Sequence, residues 1–165
     1  MEFYLGLEQG MKSMSTGSTF FTVKDRDDRV NTMAMSFGYV GFSWKRPYFI
    51  AFVGPTRYSY ELVKNAEDFT VSIPFDGKME RAIMVCGTKS GRDVDKAEAA
   101  EIKFLPAREV RSPIVDGCDL FYECRITYID KIHAERLPRE ILLPLPPMAR
   151  EHDLVFGEIV AVYRS

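Results

Sequence analysis

At 165 residues, with 22 Lys and Arg against 24 Asp and Glu and a formal net charge of -2, the chain is long enough to bury a full core and too balanced in charge to draw nucleic acid or a membrane surface by electrostatics. No apolar run approaches membrane-spanning length, and the N-terminus MEFYLGLEQGMKS lacks the basic start and continuous apolar core of a signal peptide. A single cytoplasmic domain over residues 1–165, with neither a nucleic-acid nor a membrane partner, is the expectation.

The first strand-like run is Thr19 to Lys24, followed by the charged turn Asp25 to Arg29, which suits a solvated loop. From Asn31 to Phe42, period-2 alternation predicts one long strand. Met33, Met35, Phe37 and Tyr39 share one face, and Thr32, Ala34, Ser36 and Gly38 the other. That second face is nearly bare. It either lets a planar ring approach the backbone or lies under a helix, and periodicity alone leaves both open. Tyr48 to Val53 is continuous and apolar, the pattern of a strand covered on both faces, bounded by Pro47 and by Gly54-Pro55.

Thr56 is placed to cap a helix to about Ala66, with Leu62, Val63 and Ala66 inward. Asp68 to Phe75 returns to strand alternation. Asp76 then opens a second helix with Met79, Ala82, Ile83 and Cys86 at i, i+3, i+4 and i+7, ending at Gly87. Ser90-Gly-Arg-Asp93 has the spacing of a capping box for a third helix, with Arg92 and Lys96 close by. Its N-terminus is either an anion site or the start of a solvated surface helix.

Cys118 to Ile132 alternates as a long antiparallel strand, with Leu120, Tyr122, Cys124, Ile126 and Tyr128 on one face and Asp119, Glu123, Arg125 and Lys131 on a wet one. A proline-rich turn, LPREILLPLPPM, leads to a final apolar strand from Leu154 to Tyr163. Strands outnumber helices, so the fold is mainly β, a closed or nearly closed antiparallel barrel with peripheral helices. Cys86, Cys118 and Cys124 form no CxxC pair and read as buried small hydrophobes, and no metal site is suggested.

Three stretches carry a family resemblance: NTMAMSFGYVGFSWKRPYFIAFVGPTRYSYELVKNAEDFTVSIPF, then CGTKSGRDVDKAEA, then HDLVFGEIVAV. In that order and spacing, over roughly residues 18 to 163, they resemble the flavin reductase-like, FMN-binding split-barrel proteins, and within them the flavoredoxin-type branch. The resemblance implies a six-stranded Greek-key split barrel, a homodimer, and FMN near the subunit interface. By position, Asn31, Thr32, Met33, Ala34, Met35, Ser36 and Phe37 would line the isoalloxazine ring. Thr56, Arg57, Tyr58 and Ser59 would hold the ribityl phosphate, with Ser90, Gly91, Arg92 and Lys96 completing the phosphate side. Where the family often has a tryptophan this chain has Phe37, and where it often has an arginine before the proline it has Gly54.

His133 and His152 are the only histidines. A lone His on a strand is more often structural, but related flavin reductases often place a histidine near the flavin or nicotinamide where His152 stands, which makes it the catalytic candidate. The implied function is an NAD(P)H-dependent flavin reductase passing electrons through FMN to a nicotinamide or protein partner. An electron carrier without fast NAD(P)H turnover, and a cofactor-free interaction module, are the alternatives. Phe42, Trp44 and Tyr48 read as exposed aromatics suited to a second copy of the chain.

Overall fold

Two adjacent residues, Phe20 and Phe21, are both fully buried, although neighbouring strand residues point to opposite faces of a sheet. In the computed structural model, which describes residues 1–165 apart from the side chain of Met148, each face has its own cover. Phe21 lies in the main core with Phe49, Phe69 and Tyr122. Phe20 lies in a second cluster with Ala82, Cys86, Val115 and Phe121 on the outside of the sheet.

The sheet contains β1 (Phe20–Lys24), β2 (Val30–Ala34), β3 (Gly38–Ser43), β4 (Arg46–Val53), β5 (Asp68–Ile73), β8 (Leu120–Lys131) and β9 (Asp153–Arg164). Their antiparallel order is β2-β1-β5-β8-β9-β4-β3. A separate two-stranded piece pairs β6 (Phe104–Leu105) with β7 (Ile114–Val115). The two edge strands of the large sheet, β2 and β3, are joined by only Met35, Ser36 and Phe37. Laid flat, seven strands would separate those edges by about 29 Å, whereas four backbone steps reach about 14 Å at most. The sheet must curl, and since β2 and β3 are not paired it stays open along that seam. This is a split barrel, with six strands if the interrupted β2 and β3 are counted as one.

That interruption corrects the expectation of one strand from Asn31 to Phe42. Met35 is buried, its N–H donating to Thr19 O at 2.9 Å. The chain then crosses to the other edge, where Phe52 N donates to Phe37 O at 3.2 Å. The β3–β4 hairpin turns on Trp44 and Lys45, both with positive φ (49° and 61°), between the paired Ser43 and Arg46. This is a type I′ turn without its usual Asn-Gly. Of the three expected surface aromatics, Phe42 and Trp44 are exposed, but Tyr48 is buried.

The helices are α1 (Leu7–Ser15), α2 (Tyr58–Val63), α3 (Glu80–Thr88), α4 (Lys96–Ala100) and α5 (Arg139–Leu142). The three expected caps are displaced. Arg57 rather than Thr56 precedes α2, with no side-chain cap bond. Met79 in the left-handed region precedes α3, because Asp76 is itself spent in a turn at φ 54°. Asp95 rather than Ser90 caps α4, accepting from the amides of Ala97 and Glu98, so its carboxylate fills the place an anion would take there. The Asp25–Arg29 turn is less solvated than its charge suggests: Asp25 is fully buried and accepts from Arg29. On β8 the wet face fails at Glu123. It is buried and accepts from Arg108 N at 2.8 Å, Glu109 N at 2.6 Å and Tyr163 Oη at 2.6 Å.

Candidate functional site

Two hydrogen bonds from α2 fix the turn that precedes it. Asn31 Nδ2 on β2 donates to Ser59 Oγ at 2.8 Å in a buried bond, and Tyr60 Oη donates to Asp153 at the start of β9 in a short bond. That bond, with burial behind it, pushes the Tyr60 phenol up to about 12. The turn Gly54 to Arg57 is therefore held between two strands, and its Thr56 and Arg57 line a cavity.

The first cavity, of about 230 Å³, is lined by Asn31, Met33, Thr56, Arg57, Tyr58, Ser59, Ser90, Gly91, Arg92 and Lys96, together with Thr88 and Lys89. Ten of the expected cofactor residues thus meet in one place. Gly91 has to be glycine there: a Cβ would lie 2.1 Å from Asn31 Oδ1 and 2.7 Å from Tyr58 Cδ1. Sequence reasoning missed Thr88 and Lys89; the cation beside Ser90 was the available signal. An open trough of about 630 Å³ continues past Asn31, Tyr58 and Gly91 toward Phe104.

Four cations and no carboxylate line the 230 Å³ cavity. Lys96 is buried, and its ammonium donates to Thr32 O and Cys86 O, both at 2.8 Å. Burial lowers its pKa to about 8; the Cys86 thiolate, once formed, would act the other way, and Arg57 adds to the lowering. Arg57 Nη1 donates to Gly87 O at 3.0 Å. Lys96 and Arg57 thereby bind the last carbonyls of α3, the negative end of that helix. Arg92 pairs with Glu61 through Nε at 3.0 Å and through Nη2, and lies over the Tyr58 ring at 5.4 Å. Buried charge without a carboxylate partner is costly. A phosphate fits this donor set.

The second cavity, about 300 Å³, is an apolar groove between Ser36–Tyr39, Phe52, His152 and the arm carrying Leu137, Ile141, Leu142 and Leu145. The Phe37 and His152 rings meet edge to face with centroids 5.4 Å apart. His152 is half-buried, and its pKa is lowered by burial and then by Arg57, with Asp153 acting the other way. The imidazole is thus neutral at neutral pH. The arm is the proline-rich stretch read as a plain turn; its apolar Ile141, Leu142 and Leu145 were the missed signal.

The nearly bare face of the β2–β3 stretch is covered. Thr32 Oγ1 accepts from Thr22 Oγ1 at 2.9 Å, and a Cβ on Gly87 of α3 would come within 3.1 Å of the Ala34 Cβ. The helix-covered alternative holds at Ala34, while Ser36 and Phe37 reach the apolar groove. Thr32, Ala34 and Met35 line neither cavity. The cysteines are buried and free, and burial raises the Cys86 thiol to about 11 and lifts those of Cys118 and Cys124 as well.

Comparison with known proteins places this geometry. Residues 11–165 match the family model described as flavin reductase like domain. The flavoredoxin of Desulfovibrio vulgaris (Miyazaki F) superposes with a TM-score of 0.69 at 22% identity, over 89% of this chain and 68% of that one. An FMN-binding protein from Thermus thermophilus, solved with bound 1-cyclohex-2-enone, gives 0.67 at 24%, over 88% and 68%. An NADH:FAD oxidoreductase of Streptomyces globisporus C-1027, in complex with NAD and FAD fragments, gives 0.67 at 18%, over 89% and 73%. At these identities the likeness is one of fold. An uncharacterized protein of Archaeoglobus fulgidus is 27% identical over 74 residues, which are 45% of this chain and 41% of that protein. The match thus spans less than half of that relative's length.

Proposed function

This chain belongs to the flavin reductase-like domain family, and on that premise we propose that it is an FMN-binding flavoprotein that passes electrons from NAD(P)H through the flavin. The observation that carries the reading is the buried Lys96 ammonium, which lines a cavity of four cations with only backbone carbonyls for partners. Arg57, Arg92 and Lys96 hold the phosphate, with Ser59, Ser90 and Gly91 shaping its seat. Ser36 and Phe37 then face the ring. When bound, FMN supplies the hydride-accepting ring, so the protein needs no acid, base or metal for the transfer itself. The chain's own part is to orient the ring against the Ser36–Phe37 backbone and to exclude water with Phe37 and Phe52. Neutral His152 offers one N–H donor at the edge of the same site. The assembled form is a homodimer.

One observation favours an electron carrier without fast NAD(P)H turnover as the second reading. Among the described residues Arg150 is the sole cation lining the apolar groove, so the two phosphates of a dinucleotide find one guanidinium there. A visible spectrum of the purified protein with added FMN, before and after anaerobic NADH or NADPH and then air, separates the two. Bleaching by a nicotinamide with recovery in air is expected of the reductase, and bleaching by dithionite alone of the carrier. A protein that takes up no FMN is neither.

A further inference from the structure

The cation-lined cavity has two walls that are far apart in sequence. One is the entry to α2, with Thr56, Arg57, Tyr58 and Ser59, and the other is the loop 90–93, with Ser90, Gly91 and Arg92. Among the described residues the backbone hydrogen bonds of that loop stay local: the Asp93 and Val94 amides donate to Ser90 O at 3.1 and 3.2 Å, and the Arg92 amide donates to Ser90 Oγ at 3.2 Å. Only the Arg92 side chain bonds across to the other wall. Its Nη1 donates to Thr56 O at 3.3 Å, and its Nε and Nη2 both donate to the Glu61 carboxylate on α2, the first at 3.0 Å. Glu61 itself is set back from the cavity. A guanidinium has five N–H donors, so these three bonds leave two, on a side chain that lines the cavity. An unrestrained arginine loses its rotamer freedom when it meets an anion; Arg92 has already lost it to Glu61 and Thr56. The Glu61 side chain is 49% exposed, so water screens its repulsion of a bound phosphate.

We infer that Glu61 is a positioning residue for anion binding: it clamps Arg92, and with it the loop 90–93, against the α2 wall and leaves part of the guanidinium to the anion. The clamp rests on the geometry alone; that the anion is the phosphate of FMN rests on the proposed function.

Calorimetric titration of FMN and riboflavin into the parent protein, Glu61→Ala, Glu61→Gln, Arg92→Ala and the Glu61→Ala, Arg92→Ala double variant tests it, with 31P NMR line broadening of inorganic phosphate as a flavin-free readout. Glu61→Ala should weaken FMN about three- to tenfold, the cost of ordering one long side chain at binding, and leave riboflavin within about twofold of the parent. Glu61→Gln keeps an acceptor oxygen for Arg92 and should stay within about twofold of the parent for both flavins. In the Arg92→Ala background the effect of Glu61→Ala on FMN should vanish. Unchanged or tighter FMN binding in Glu61→Ala overturns the proposal, since the carboxylate would then be idle or a competitor for Arg92. Equal weakening of riboflavin, or an effect undiminished without Arg92, overturns it as well, because Glu61 would then act on the fold at large. If the parent takes up no FMN but broadens the phosphate line, and Glu61→Ala does so less, the cofactor reading fails and the clamp stands. A parent protein that neither takes up FMN nor broadens phosphate overturns both.

Discussion

Lys96 and Arg57 carry most of what can be tested one side chain at a time. The Lys96 ammonium has a pKa of about 8 in the folded protein against 10.5 for the free side chain. Between those values the unfolded chain holds more protons on this residue than the folded one, so its contribution makes the ligand-free protein more stable as pH rises through that window. A bound phosphate favours the ammonium instead. FMN affinity should therefore fall above about pH 8, by up to about tenfold per pH unit, while riboflavin affinity stays level. Titration of both flavins at several pH values checks this, and Lys96→Met should abolish the difference. Arg57 is free of the ion pair with Glu61 that its i, i+4 spacing would allow, because Glu61 binds Arg92. Arg57→Ala should weaken FMN by about 1.5 to 3 kcal/mol, tenfold or more, and riboflavin far less. A coupling near zero in that four-cornered comparison would remove Arg57 as a phosphate ligand.

At the scale of elements, alternation made β5 and β8 legible, and short apolar or β-branched runs bounded by turn residues did the same for β1, β4 and β9. Three other features were not. The strand break after Ala34 depends on which edge the chain must reach next, and α1 carries no cap signal, being preceded by Gly6 in the left-handed region. The burial of Glu123 depends on a cover from Arg108 and Glu109, some 14 or 15 residues away. The cation cavity was readable through the family resemblance that its short stretches carry, whereas the Tyr60–Asp153 bond joins residues 93 apart. Two stability predictions belong here. On Gly157 of β9 a Cβ would lie 2.5 Å from Phe69 Cε1 and 2.6 Å from Cys124 Cβ. Gly157→Ala should cost about 1 to 3 kcal/mol or more, read as a lower urea midpoint with an unchanged slope. Replacing Trp44-Lys45 by Asn-Gly should raise stability by about 1 to 2 kcal/mol, since both positions already have positive φ.

For the whole molecule, the expected homodimer has a built-in reporter. Trp44 is the only tryptophan and is 73% exposed in the single chain, at the end of a hairpin that also exposes Tyr39 and Phe42. If a second copy covers this surface, light scattering gives twice the chain mass. Tryptophan emission then shifts to the red on dilution as the dimer separates. A monomer mass with FMN bound, and emission independent of concentration, would leave these aromatics as ordinary surface residues.

The placement of β9 has a consequence for how the protein is made. It pairs with β8 on one side and β4 on the other, so the β3–β4 hairpin joins the rest of the sheet only through it. As the chain leaves the ribosome, every strand that β9 unites is present before it, and two half-sheets wait with open, sticky edges until β9 arrives. Long-range closure of this kind is slow and exposes the chain to aggregation meanwhile. His152 and Asp153 emerge with that same segment, so neither the apolar groove nor the Tyr60 tether exists before the barrel is finished. A nascent chain stalled before Asp153 should be captured by chaperones and degraded, and a chain that has released β9 should be the first species with the apolar groove formed.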